Sequence, residues 1–171
     1  MPEKKTIERA RADKRAGKSA STQAGEFVKE EFDRVRAGKH GVRSAKQAVA
    51  IGLAKARRAG VDLKPPPPGT TSEATRKKAA KDLAAGKTRA GAESKAKRSR
   101  ATTQVLKRES QAGASPQAVS KQAKTAAARR PAASRSAAAK KAAQTKGAAG
   151  RSAAAKKAAK TRAARAQHTR H

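Results

Sequence analysis

The chain has no cysteine, no tryptophan and no tyrosine, and its 1% of aromatic residues amounts to two phenylalanines. Without thiols, neither a disulfide framework nor a thiolate metal site can be assembled, and the sequence fits a reducing cytosol. With Phe27 and Phe32 as its only large rings, it has none to spare as the stacking platforms that sequence-reading single-strand binders use. No apolar run approaches the roughly 18 residues that a membrane span needs, so no membrane partner is expected. The first 20 residues contain no hydrophobic signal core, and Glu3, Glu8 and Asp13 argue against a transit peptide. Acids are scarce too. Twelve Asp and Glu face 44 Lys and Arg, and none follows Glu109.

What is present is positive charge on a small frame. A formal net charge of +32 over 171 residues makes the free chain repel itself and gather counterions, so a polyanion that releases those ions is its natural partner. Most of the 36% hydrophobic content is alanine, which buries little. One small folded element with disordered basic arms is therefore expected. Charge is also unevenly placed: residues 1–63 hold 16 Lys and Arg against 8 Asp and Glu, so most of the excess lies beyond them.

The stretch 21–63 carries most of the large apolar side chains. Ala24, Phe27, Val28, Phe32 and Val35 share one helical face behind the cap candidates Ser21 and Thr22, and Gly38 ends that helix. Ala45, Ala48, Val49, Gly52, Leu53 and Ala56 form a second face, opened by Ser44 with Gln47 three residues on and closed by Gly60. With Phe27 and Phe32 pressing into the shallow surface of Ala48, Gly52 and Ala56, the expected fold class is all-α: a two-helix hairpin turned by Gly38-Lys39-His40-Gly41. Glu31 falls inside the apolar stripe and Ile51 outside it. Either Glu31 reaches the rim and Ile51 is an ordinary surface residue, or Ile51 and the stripe's open edges support a homo-oligomer, since about 40 residues make a marginal core. The acids Glu26, Glu30, Glu31 and Asp33 turn the first helix away from DNA, whereas Lys46, Arg57 and Arg58 on the second, with Ala50 and Ala54 between them, suit a phosphate backbone.

The flanking segments read as arms. Residues 1–20 suggest a charged, partly helical, solvated arm whose only large apolar residue is Ile7. Residues 64–69, with Pro65 to Pro68, form a stiff spacer. Residues 70–130 contain a helix over Thr71 to Ala85 with Leu83 as its only large apolar residue. A dense basic run follows from Arg89 to Arg108, including Lys95, Lys97 and Arg98, and a further segment is opened by Ser115-Pro116. Residues 131–171 hold a repeat with a period of 16: Arg135-Ser136-Ala137-Ala138-Ala139-Lys140-Lys141-Ala142-Ala143 returns as Arg151-Ser152-Ala153-Ala154-Ala155-Lys156-Lys157-Ala158-Ala159. Free in water, this tail is expected to be mostly disordered and to become helical where phosphates cancel its repulsion. Its candidate phosphate contacts are Lys140, Lys141, Lys146, Arg151, Lys156, Lys157, Lys160 and Arg162.

No catalytic constellation emerges. Gly17-Lys18-Ser19 and Gly86-Lys87-Thr88 imitate the end of a phosphate-binding loop, but Ala12 and Lys81 stand where its earlier glycine belongs and no strand precedes either. His40 is expected in a loop near the duplex, and His168 and His171 stand alone. The carboxylates form no acid/base pair. The chain reads as no enzyme, with no metal and no cofactor.

The blocks Ser21-Thr22-Gln23-Ala24-Gly25-Glu26-Phe27-Val28 and Gly38-Lys39-His40-Gly41-Val42-Arg43-Ser44-Ala45-Lys46-Gln47-Ala48, continuing to Val61, resemble a family of short basic bacterial proteins. That family is a domain of unknown function, associated at most with DNA binding, histone-like character or plasmid stabilisation. The resemblance covers roughly residues 3–63, implies a bacterial nucleoid context and carries no catalytic residues. The tail resembles those of linker histones and bacterial histone H1-like proteins. The expected function is sequence-independent, nucleoid-associated binding of duplex DNA in the cytoplasm, with chromatin compaction or bridging. The competing readings are a helix-turn-helix-like regulator or plasmid-maintenance factor, with Ser44 to Ala59 as recognition helix, and unspecific RNA binding.

Overall fold

The computed structural model describes residues 2–87 and 100–168, and every regular element among them is helical. Thr88, Arg89, Lys95, Lys97, Arg98 and His171 lie outside the described residues, as do the side chains of Lys146 and His168. In chain order the elements are α1 (Lys4–Arg15), α2 (Ala20–Arg36), α3 (Ala45–Arg58), α4 (Glu73–Lys87), α5 (100–106), a 3₁₀ turn (Gln111–Ala114), α6 (Pro116–Ala128) and α7 (Ala132–His168). They fall into two compact units, Met1–Gln122 and Ala123–His171.

Helices α2 and α3 form the centre of the first unit and run antiparallel, since residues late in α2 meet residues early in α3. Phe32 and Val35 pack with Val42, Ala45 and Ala48 in one cluster; Ala24 and Phe27 pack with Ala56 and Val61 in another. Gly52 stands where the two backbones come closest. A Cβ there would lie 2.6 Å from Val28 Cα and 2.9 Å from Val28 N. Because backbone on both sides would have to yield, Gly52→Val is expected to destabilise this unit by about 1–3 kcal/mol, read as a lowered calorimetric transition. A transition unchanged or raised would show that the helices separate freely.

Helix ends follow one device. Arg15-Ala16-Gly17, Arg36-Ala37-Gly38 and Arg58-Ala59-Gly60 each end a helix with the glycine at positive φ (68, 72 and 91°). In each, the glycine N–H donates to the carbonyl three residues back and the next N–H to the carbonyl five back, as in Lys39 N to Arg34 O at 3.0 Å. Helix starts differ in part from expectation. Ser44 does cap α3, its hydroxyl accepting from Gln47 N at 3.2 Å, while Gln47 Oε1 accepts from Arg43 N at 2.7 Å. For α2, however, Ser19 is the cap, not Ser21 or Thr22; its hydroxyl accepts from Thr22 N at 3.3 Å.

The expected hairpin with disordered arms is replaced by a larger helical assembly. Helix α1 docks on α2 through Thr6 and Ala10, both buried, and Arg9 Nε pairs with Glu26 at 2.6 Å. Helix α4 docks on α3, burying Ala79. Residues 106–114 cover the α2–α3 loop with backbone bonds, Gly41 N to Leu106 O at 2.9 Å and Val42 N to Ser110 O at 2.8 Å. Ala114 enters the cluster around Phe32, and Arg36 Nε donates to its carbonyl at 3.2 Å. These contacts rest on small residues and main chain, which leave no apolar periodicity to read. Ile51 is partly buried against the Phe32 cluster of its own chain. Among the described residues, the large hydrophobic left exposed is Val105.

The second unit is helical as well. Helix α7 is interrupted once, at Gly147 (φ 64°, ψ 174°), between the two sequence repeats. Alanine's propensity and local bonds hold each half without a buried residue. Thr145 donates to Lys141 O at 2.9 Å and Thr161 to Lys157 O at 3.0 Å, the same bond one repeat apart.

Candidate nucleic-acid interface

On α7, Lys140, Lys141, Arg151, Lys156, Lys157, Lys160 and Arg162 are all exposed. At about 100° per residue, Arg151 and Arg162 fall on one side of the second half, and Lys156, Lys157 and Lys160 centre on the opposite side. No acid accompanies them in the sequence. Arg151 has a second role at the break: its guanidinium reaches back over Gly147 to Ala143 O at 2.6 Å, satisfying a carbonyl at the end of the first half. Arg162 Nε bonds Ala158 O at 3.3 Å. Beside the break, Ala138, Lys141, Ala142, Thr145 and Arg151 line a shallow depression.

The surface expected on α3 is not assembled. Lys46 is exposed, but Arg57 is only 7% exposed. Its Nε donates to Leu63 O at 3.0 Å and its Nη2 to Lys64 O at 3.4 Å, fixing the chain as it enters the proline segment. Burial pushes the Arg57 guanidinium below its usual pKa, with Asp82 opposing the shift. Arg58 remains exposed yet faces Asp82 of α4 at 3.3 Å. Arg57 is therefore a structural clamp, and Arg58 is half of an ion pair.

Ion pairs likewise take up most of the described acids of the first unit. Glu26 meets Arg9, Glu30 meets Arg34, Asp33 meets Lys29, Asp13 meets Lys18, Glu73 meets Arg76 and Glu109 meets Arg43. The bond and charge of Asp13 raise the pKa of Lys18. Glu31 does not reach the rim. Its side chain is fully buried between Lys55 Nζ at 2.5 Å and His40 Nε2 at 3.4 Å. His40, expected near the duplex, is 7% exposed and its Nδ1 lies 3.0 Å from Gly41 O. Gly41 itself admits no side chain, because a Cβ there would run into the Glu109 carbonyl.

One basic surface escaped the sequence reading. On α4, Lys77-Lys78-Ala79-Ala80-Lys81 repeats Lys156-Lys157-Ala158-Ala159-Lys160 residue for residue, and its three lysines are exposed while Ala79 is buried. The repeated five residues were the signal.

Among the described residues no group of His, Cys, Asp and Glu is placed to hold a metal, and no helix is long and apolar enough to cross a membrane. No curated protein and no solved structure matches the chain. The sequence model of a family of unknown function (DUF6496) matches residues 11–67, about a third of the chain, so the segment from within α1 to Pro67, with α2 and α3 at its centre, is similar to that family.

Proposed function

We propose that this chain is a sequence-independent DNA-binding architectural protein of the nucleoid, histone H1-like in its physics, which neutralises phosphates and draws duplexes together. The observation that carries the reading is α7, an acid-free helical segment whose described cations are exposed on opposite sides and engage no carboxylate among the described residues. Such a segment grips by releasing counterions from a duplex and has no means to tell one base pair from another. Most described acids of the first unit sit in ion pairs within that unit, which limits how far they oppose that grip. The regulator reading is less well supported, because α3 exposes little beyond Lys46, Ala50 and Arg58 and offers no row of base-reading side chains.

The test is competition among duplexes of different sequence, with structured RNA as a further competitor, across a salt series. If about ten phosphates are neutralised, log affinity should fall against log salt with a slope near −9. Affinities for different duplexes should agree within a small factor. Discrimination by about a thousandfold or more would favour the regulator, and stronger binding to RNA than to any duplex would move the reading to RNA.

A further inference from the structure

We infer that the outer face of α4 is a second phosphate-contacting surface, built on the folded unit and separate from α7. The inference rests on the proposed DNA-binding function and adds a site to it.

The face is sorted by the way α4 docks. Counting about 100° per residue, Ala79, Asp82, Leu83 and Gly86 lie on one side of the helix, and Lys77, Lys78 and Lys81 span about 100° of the other, with Ala74 and Ala84 alongside. The docked side is closely fitted. Ala79 is buried, and a Cβ on Gly86 would run into the Arg57 carbonyl, so α4 sits against the end of α3. Both acids of the helix are drawn off: Asp82 faces Arg58 at 3.3 Å, and Glu73 binds Arg76 at 2.7 Å. Among the described residues no ion pair involves Lys77, Lys78 or Lys81.

The outcome is a pure lysine strip set among alanines. Long ammonium stems rise from a surface of methyl groups, so a bulky polyanion can approach without displacing other side chains. Lys77 and Lys81 are about 6 Å apart along the axis, against about 3.4 Å between successive charges of one DNA strand, so the strip spans neighbouring phosphates of a single strand. The occupant it fits is the backbone of a nucleic-acid duplex.

Comparison with α7 supports a distinct role. Both tail repeats keep the lysine pair, the first with Gln144 in place of Lys81, but they carry Lys146 or Arg162 where α4 has Leu83, and Ala149 or Arg165 where it has Gly86. Neither can seat itself on α3 as α4 does. The third copy is thus the one whose lysines are fixed to a folded body before any nucleic acid arrives, which lowers the ordering cost of contact.

The test uses the full chain with Lys77→Ala, Lys78→Ala and Lys81→Ala together. A matched control replaces Lys18, Lys29 and Lys39 by alanine; it removes the same charge from lysines that already face acids. Loss of three phosphate contacts should flatten the salt slope by about 2.7, so that affinity falls about 40-fold less between 50 and 200 mM salt than in the parent. The control should stay within about 0.5 of the parental slope. An unaltered slope in the strip variant, with the parent binding normally, would overturn the α4 site alone; equal flattening in both variants would reduce it to bulk charge. A parent indifferent to duplex DNA at low salt would overturn the function with it. Calorimetric transitions of both variants guard against unfolding, and protection of Lys77, Lys78 and Lys81 from acetylation by bound duplex gives a readout independent of affinity.

Discussion

A chain ending at Arg130 will bind duplex DNA about a thousandfold more weakly than the intact protein at about 50 mM salt, and by the same factor on every sequence. Residues 131–171 carry eleven Lys and Arg and no acid, and each described one is exposed on α7. Removing them takes away a quarter of the Lys and Arg, with no acid among them, and none of the first unit. The salt dependence should therefore flatten along with the loss of affinity, leaving a slope set by contacts among the 33 Lys and Arg that remain, those of α4 among them. Gel-shift or fluorescence titrations of both chains over a salt series measure this. Near-parental affinity in the shortened chain would place the grip in the first unit and refute the role given to α7. A loss confined to one sequence would point to base reading.

The second large effect concerns stability. Replacing Lys55 by methionine strands the fully buried carboxylate of Glu31, whose Oε2 is bound by Lys55 and whose Oε1 has no hydrogen-bond donor of its own. His40 Nε2 stands at a long 3.4 Å from Oε1, with Nδ1 donating to the Gly41 carbonyl. An uncompensated buried charge costs about 3–5 kcal/mol, a drop of roughly 10 °C or more in the transition of a unit this size. The double variant Glu31→Leu with Lys55→Met should regain most of that loss, because it removes both charges and leaves an apolar contact between α2 and α3. Calorimetry suits the comparison, since α7 has no buried core and adds little cooperative signal. A single variant as stable as the parent would mean that Glu31 is solvated by other means.

Periodicity made the α2–α3 pair legible. Phe27, Phe32 and Val35 are large enough to mark a face, and Ala48, Gly52 and Ala56 mark its complement; Gly38 and Gly60 mark the ends. The rest of the first unit was hidden because its contacts leave little hydrophobic trace. Thr6, Ala10 and Ala79 dock helices by being small, and 106–114 is held to the loop by main-chain bonds whose one trace in the sequence is glycine where the backbones meet, at Gly41 and Gly113. Arg57 was misplaced for a related reason: a helical wheel sets it beside the stripe, and only the turn at Gly60 brings the Leu63 and Lys64 carbonyls to its guanidinium. For the tail, composition led to an expectation of disorder until phosphates arrive. Residues 132–168 are instead helical without any phosphate, with alanine propensity, two threonine back-bonds and the Arg151 bond across Gly147 outweighing like-charge repulsion that solvent screens.

The opposed cations in the second half of α7 bear on how DNA would pack. A rod that lays its lysine side on one double helix still shows Arg151 and Arg162 to the surroundings, and a neighbouring double helix is the nearest thing to satisfy them. The gap between condensed strands would then equal the thickness of a single peptide rod, about 10–12 Å, a spacing fixed by the protein rather than by the salt.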